Sequence, residues 1–152
     1  MGLDFSHCDA HWAYSGFNRF RTKIAAEAGI ALSCMEGFAV NPLGVKRYNH
    51  VSIFGKNIEE KRPVGAIAAE YCDYVGIQPV ITWDKVSDDI KYLLNHSDCD
   101  GFLTPSECRK VAPRIRELVK NWPDDDRDKI NALLLANGMD LARSKRQKLK
   151  FC

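Results

Sequence analysis

Between His96 and Glu107 the chain reads HSDCDGFLTPSE, and its chemistry-bearing side chains fall at alternate positions: His96, Asp98 and Asp100, with Glu107 closing the run. Carboxylates gathered in one short loop are oxygen donors of the kind a hard divalent cation takes. A second reading needs no ion. Gly101 makes a tight turn, and Thr104-Pro105-Ser106-Glu107 is a capping box with proline at the first helical position, which starts a helix. Both readings stand: a cation site at His96, Asp98, Asp100 and Glu107, or a structural junction. Cys99 and Cys108 could join His96 in a softer zinc site, but they lack the close pairing that makes zinc motifs specific.

Counted from His96, Asp98 and Asp100 take the third and fifth positions, Gly101 the sixth, Leu103 the eighth and Glu107 the twelfth. Over this dozen residues the segment resembles an EF-hand calcium loop. The resemblance implies a divalent cation held by those side chains. His96 departs from it, because an imidazole in place of the first aspartate removes a charge and an oxygen donor.

The stretch HWAYSGFNRFR is the other dense cluster. Aromatic faces and guanidinium groups together can sandwich a base and hold a phosphate. Trp12, Tyr14, Arg19 and Arg21 are therefore the candidate ligand-binding residues, set against the reading that the aromatics are core and the arginines its solvated edge, which the spacing supports for Phe17 and Phe20. His7 and His11, four apart, would share one face of a helix and could pair on a metal. They do not form HExxH, since Cys8, Asp9 and Ala10 lie between them.

These clusters need elements to position them. An amphipathic helix is expected over Asp9 to Gly29, with Ala13, Phe17, Phe20, Ile24 and Ala28 on one face, Ser15 a candidate cap and Gly29 the terminator. Tyr48 to Phe54 reads as a strand turned back at Gly55-Lys56-Asn57 towards Ile58. Val64 to Tyr74 reads as a helix and Gln78 to Trp83 as an extended piece, although Gly and Pro leave the topology of residues 31–82 open. A helix is expected from Trp83 to Asn95, a second from the capping box towards Trp122, kinked at Pro113 or split there into two short helices, and a third from Trp122-Pro123. In the third, Ile130, Leu133 and Leu134 would face inwards, and Asn137-Gly138 could end it early. The expected fold is mainly α, or α+β with a small antiparallel sheet in the middle third, as one compact domain over residues 1–152.

A chain of 152 residues with 45% hydrophobic content can bury a core, and its net charge of +2 demands no polyanionic partner, so nucleic acid is not expected. The last twelve residues, LARSKRQKLKFC, carry five cations and no acid, and would attract phosphate if displayed on a rigid surface, although the favoured reading is a solvated basic segment that complements the negative end of the last helix. Six scattered cysteines fit a reducing compartment, and no apolar run reaches membrane-spanning length. A cytoplasmic location and no membrane partner are therefore expected.

Taken together, HWAYSGFNRFR and NHSDCDGFLTPSEC resemble segments of a group of small uncharacterised proteins of bacteriophages and bacteria. The resemblance covers the first thirty residues and the last seventy, and implies an accessory protein with no activity to carry over. No GxSxG, P-loop, GxGxxG or zinc-protease motif is present. The preferred function is non-enzymatic binding of a small phosphorylated or nucleotide-like ligand, in a phage setting the sequestering of a host signalling nucleotide. The alternatives are a metal-dependent hydrolase using His96, Asp98 and Asp100, and a protein-interaction module, a homo-oligomer among its forms.

Overall fold

A computed structural model describes residues 2–32, 35–38, 50–53, 56–59, 81–96 and 100–152. The fold is mainly α with small antiparallel pairings, as the residue pattern suggests. Contacts group the chain into two compact units, one of residues 1–30 and 88–152 and one of residues 31–87.

The first unit opens with a hairpin, β1 (Gly2–Asp4) paired antiparallel with β2 (His11–Ala13), and β2 runs straight into helix α1 (Tyr14–Glu27). The helix thus starts later than Asp9, with Ala13 and not Ser15 at its N-cap. It buries Phe17, Phe20 and Ile24 completely. Gly29, at φ +73°, ends it: its amide donates to Ala26 O and that of Ile30 to Ala25 O, a Schellman closure that a residue with a Cβ would strain.

The expected helix from Trp83 to Asn95 is broken. Trp83–Lys85 is a 3₁₀ turn in the second unit, and only Lys91–Leu94, α2, is helical in the first. Asp88 accounts for the turn into α2, since its carboxylate accepts from the Ile90 amide (3.0 Å) and from Arg114 through both Nε and Nη2 (3.0 and 2.8 Å). Burial alone would push the Asp88 carboxyl up. The Arg114 and Ile90 hydrogen bonds and the guanidinium charge outweigh it and hold the group below its ordinary range. A depressed folded-state pKa gives stability that is present above the unfolded value and lost as pH falls through the folded one. The urea midpoint is therefore expected to drop between about pH 5 and pH 2, and to drop less in Arg114→Met. An unchanged acid slope in that variant would remove Asp88 from the account.

Helix α3 (Pro105–Val119) begins at the expected capping box: Thr104 Oγ1 accepts from the Glu107 amide (3.2 Å) and Glu107 Oε1 from the Thr104 amide (2.9 Å). It continues through Pro113 as one element. Proline removes the bond to the Arg109 carbonyl, and because Arg109 and Pro113 are both exposed, water can take that carbonyl. Helix α4 (Arg127–Ser144) starts at Asp126, whose carboxylate accepts from the Asp128 amide (2.8 Å). The turn between α3 and α4 is closed by Lys129. Its nearly buried ammonium donates to Trp122 O (2.8 Å), to Lys120 O (3.3 Å) and to Asp124 Oδ1 (2.7 Å), satisfying carbonyls left open at a helix end.

Two expectations about α4 fail for one reason. Its inward stripe is Ala132, Leu135, Ala136, Met139 and Ala142, while Ile130 is exposed and Leu133 and Leu134 are half-buried. Small residues let α4 approach its neighbours closely, and Gly138 belongs to this pattern instead of ending the helix. A Cβ there would sit 2.7 Å from Cys8 Cβ and 2.8 Å from its Sγ.

A further strand follows α4. Beyond α4 the chain reverses through Arg146, at φ +53°, and β6 (Leu149–Lys150) pairs antiparallel with β5 (Phe102–Leu103). Residues 150–152 also lie along residues 4–6. Asp4 and Cys152 exchange both backbone bonds at 2.9 Å, Ser6 N–H donates to Lys150 O, and Phe5 bridges Phe151. The two ladders thus join. Alternation places Leu3, Phe5, Trp12, Leu103, Leu149 and Phe151 inside, and Phe102, Lys150, Cys152, Asp4 and His11 outside.

In the second unit, β3 (His50–Ile53) pairs antiparallel with β4 (Lys56–Glu59), giving the expected hairpin, although Lys56 and Asn57, expected in its turn, are paired with Ile53 and Ser52. Met35 bridges Ile81 in parallel, and the Trp83 indole N–H donates to Glu36 O (2.9 Å). The helix expected over Val64–Tyr74 lies outside the described residues.

Candidate functional site

The two clusters singled out in the sequence meet in space. Arg21, at 5% exposure, sends Nη1–H to the His96 carbonyl (2.7 Å) while its guanidinium lies 5.0 Å from the Phe17 ring centroid. A buried guanidinium needs such partners, and here it ties α1 to the entrance of the 96–107 loop. The His96 ring stacks on Phe151 at 3.8 Å and 25°, and its Nε2–H donates to Phe102 O (3.1 Å). Gly101, at φ +102°, leaves room for that ring. A Cβ would lie 2.8 Å from His96 Cε1.

In a calcium loop the seventh-position carbonyl and the twelfth-position carboxylate are ion ligands. Here the seventh carbonyl, that of Phe102, accepts from His96, and one oxygen of the twelfth residue, Glu107, accepts from Thr104 N–H. The histidine that departs from the aspartate pattern thus spans part of the loop with its own ring. Asp100 is exposed, and Asp98 and Cys99 lie outside the described residues. Cys108 is buried, and burial pushes its thiol up to about 11. Among the described residues no three His, Cys, Asp or Glu side chains gather as a metal site.

The four candidate ligand residues do not form one surface. Trp12 is a core residue, stacked on Phe20 (4.6 Å, 23°), edge-on to Phe5, and donating its indole N–H to Asp128 Oδ1 (3.0 Å). Arg21 is buried as described. Tyr14 is half-buried at the start of α1, and Arg19 is exposed on its outer face. His7 and His11 do not share a helix face either, because residues 6–10 form the link between β1 and β2. His7, at φ +70°, is hydrogen-bonded to Ser6 Oγ and Gln147 Oε1 (both 2.7 Å), and His11 Nδ1 pairs with Asp4 (2.8 Å).

What the structure assembles instead is an aromatic and basic surface on the outer side of the joined ladders. Phe102 is 45% exposed and stands directly across from Lys150 in the β5–β6 register. The Lys148 ammonium lies 4.0 Å from the Phe102 centroid. Arg143, Lys145 and Arg146 are exposed at the end of α4 just before it. Sequence reasoning gave the charge of this segment but not its partner ring. The available signal was the alternation of Leu149, Lys150 and Phe151, which marks a strand and so puts Lys150 on a defined face. Among the described residues no helix is long and apolar enough to cross a membrane. No protein-family model, no curated protein and no solved structure matches the chain, which leaves the geometry to carry the functional reading.

Proposed function

We propose that the protein is a cytoplasmic, non-enzymatic binding protein for a phosphorylated, nucleotide-like ligand, and that the ligand lies on the surface formed by Phe102, Lys148 and Lys150. The supporting observation is the exposed ring with one ammonium against it and a second cation directly across the ladder. An aromatic face takes a base, and a cation held on a paired strand, Lys150, takes its phosphate with little side-chain rearrangement. This moves the ligand from Trp12 and Arg21, whose faces are spent in the core, while Tyr14 and Arg19 stay outside the surface described. The accessory role in bacteria or their phages belongs to the same proposal. The test is a titration followed by NMR, comparing adenosine with adenosine diphosphate. The diphosphate is expected to shift the Phe102 ring and the Lys148 and Lys150 amides in a saturable, salt-sensitive way, and adenosine far less. Absence of any saturable shift with the diphosphate would overturn the proposal.

A further inference from the structure

Resting on that reading, we infer that the surface is built for a single strand of nucleic acid, and that a free nucleotide is only a fragment of its ligand. The first argument is extent. Five cations, Arg143, Lys145, Arg146, Lys148 and Lys150, follow one another along the end of α4, the reversal at Arg146 and β6, and all are exposed. A mononucleotide has phosphate enough for one or two of them. A strand presents one phosphate per nucleotide and can engage a line of cations.

The second argument is charge complementarity. No acid occurs from Leu141 to Cys152. On α4 Asp140 is paired with Arg116 (2.6 Å), and on the outer face of the ladders Asp4 is hydrogen-bonded to His11 (2.8 Å). The positive segment is therefore not neutralised from within its own run, and its overall balance is concealed in the sequence total of +2, which sums acids lying elsewhere.

The third argument is the placement of the ring. Phe102 projects from a strand whose backbone is anchored on one side by Lys150 and whose carbonyl accepts from His96, so its position is set by the ladder and not by the ligand. Aromatic side chains on a sheet surface beside a cationic track are the arrangement by which single strands are bound with little regard to sequence. A duplex keeps its base faces stacked internally and cannot offer one to Phe102. A base settling on the ring displaces the Lys148 ammonium, which is then free to meet the adjoining phosphate.

The experiment is fluorescence anisotropy with a labelled thymidylate 15-mer, an equally charged hairpin duplex, and thymidine monophosphate as competitor. The 15-mer is expected to bind more tightly than the duplex, and the monophosphate to compete only weakly. Phe102→Ala is expected to weaken the 15-mer by about 10- to 100-fold, with Phe102→Tyr restoring most of it. Lys148→Ala and Lys150→Ala should each reduce the slope of log K against log salt by about 0.7. Because these three side chains are on the surface, unchanged circular dichroism and melting should accompany the losses. Equal binding of the duplex with no effect of Phe102→Ala would overturn the single-strand inference in favour of unspecific charge. Saturable monophosphate binding as tight as that of the 15-mer would also overturn it while leaving the nucleotide-like ligand in place. No binding of any of the three would sink both.

Discussion

Trp12→Ala is expected to remove about 3–5 kcal/mol of folding stability, among the larger losses a single buried side chain produces. The indole fills the space between the β1–β2 hairpin and α1, in contact with Phe5, Phe17 and Phe20, and is only 5% exposed. Its removal opens a void whose lining cannot collapse, because Phe17 and Phe20 are fixed by the helix and Phe5 by the ladder to Phe151. It also leaves Asp128 without the indole N–H it accepts at 3.0 Å. Trp12→Phe separates the two terms by keeping a ring and losing the donor. It should cost about 1–2 kcal/mol, since a carboxylate at a helix start retains other partners and some water. Urea denaturation of both variants measures this. A Trp12→Ala protein as stable as the parent but unable to bind its ligand would return Trp12 to the binding surface.

Gly101→Ala is expected to cost about 2–4 kcal/mol, for two reasons that can be separated. At φ +102° any Cβ is strained, and that Cβ would also lie 2.8 Å from the His96 ring. The ring cannot move away without giving up its stack on Phe151 and its bond to Phe102 O. A double-mutant cycle with His96→Ala divides the cost: the steric part should vanish in the double variant and the backbone part should remain. Full additivity in urea midpoints would show that the ring and the glycine do not compete for space.

These residues show where the sequence was readable. The Gly29 terminator, the Thr104–Glu107 capping box and the hairpin near Gly55 were all legible, because each depends on neighbours within a few positions and on local backbone preference. Gly138 reads locally as a helix stop and is not one, since what decides it is tertiary: Cys8 packed on the helix. Trp12 and Arg21 have the side chains of a binding site and the partners of a core, and those partners, Asp128 and the His96 carbonyl, lie 116 and 75 positions away. For the 96–107 loop the residue types were consistent with an ion ladder or a helix start. The hydrogen bond from His96 to Phe102 O was not deducible, because it depends on Phe151 arriving from the far end of the chain.

The pairing of residues 150–152 with residues 4–6 also has a consequence for how the molecule is made. Ser6 Oγ accepts from the Lys150 amide across 144 positions. On a ribosome the hairpin and α1 emerge early, but the edge of β1 finds its neighbour only after residue 152 has cleared the exit tunnel. Until then β1 carries an open edge and Phe5 lacks its cover, the condition in which nascent strands associate with the wrong partner. Closing so long a separation is slow compared with forming the helices. The unit should therefore mature only once residues 149–152 have emerged, with the aromatic and basic surface late to take shape, since Lys150 and Phe102 are brought together by that same strand.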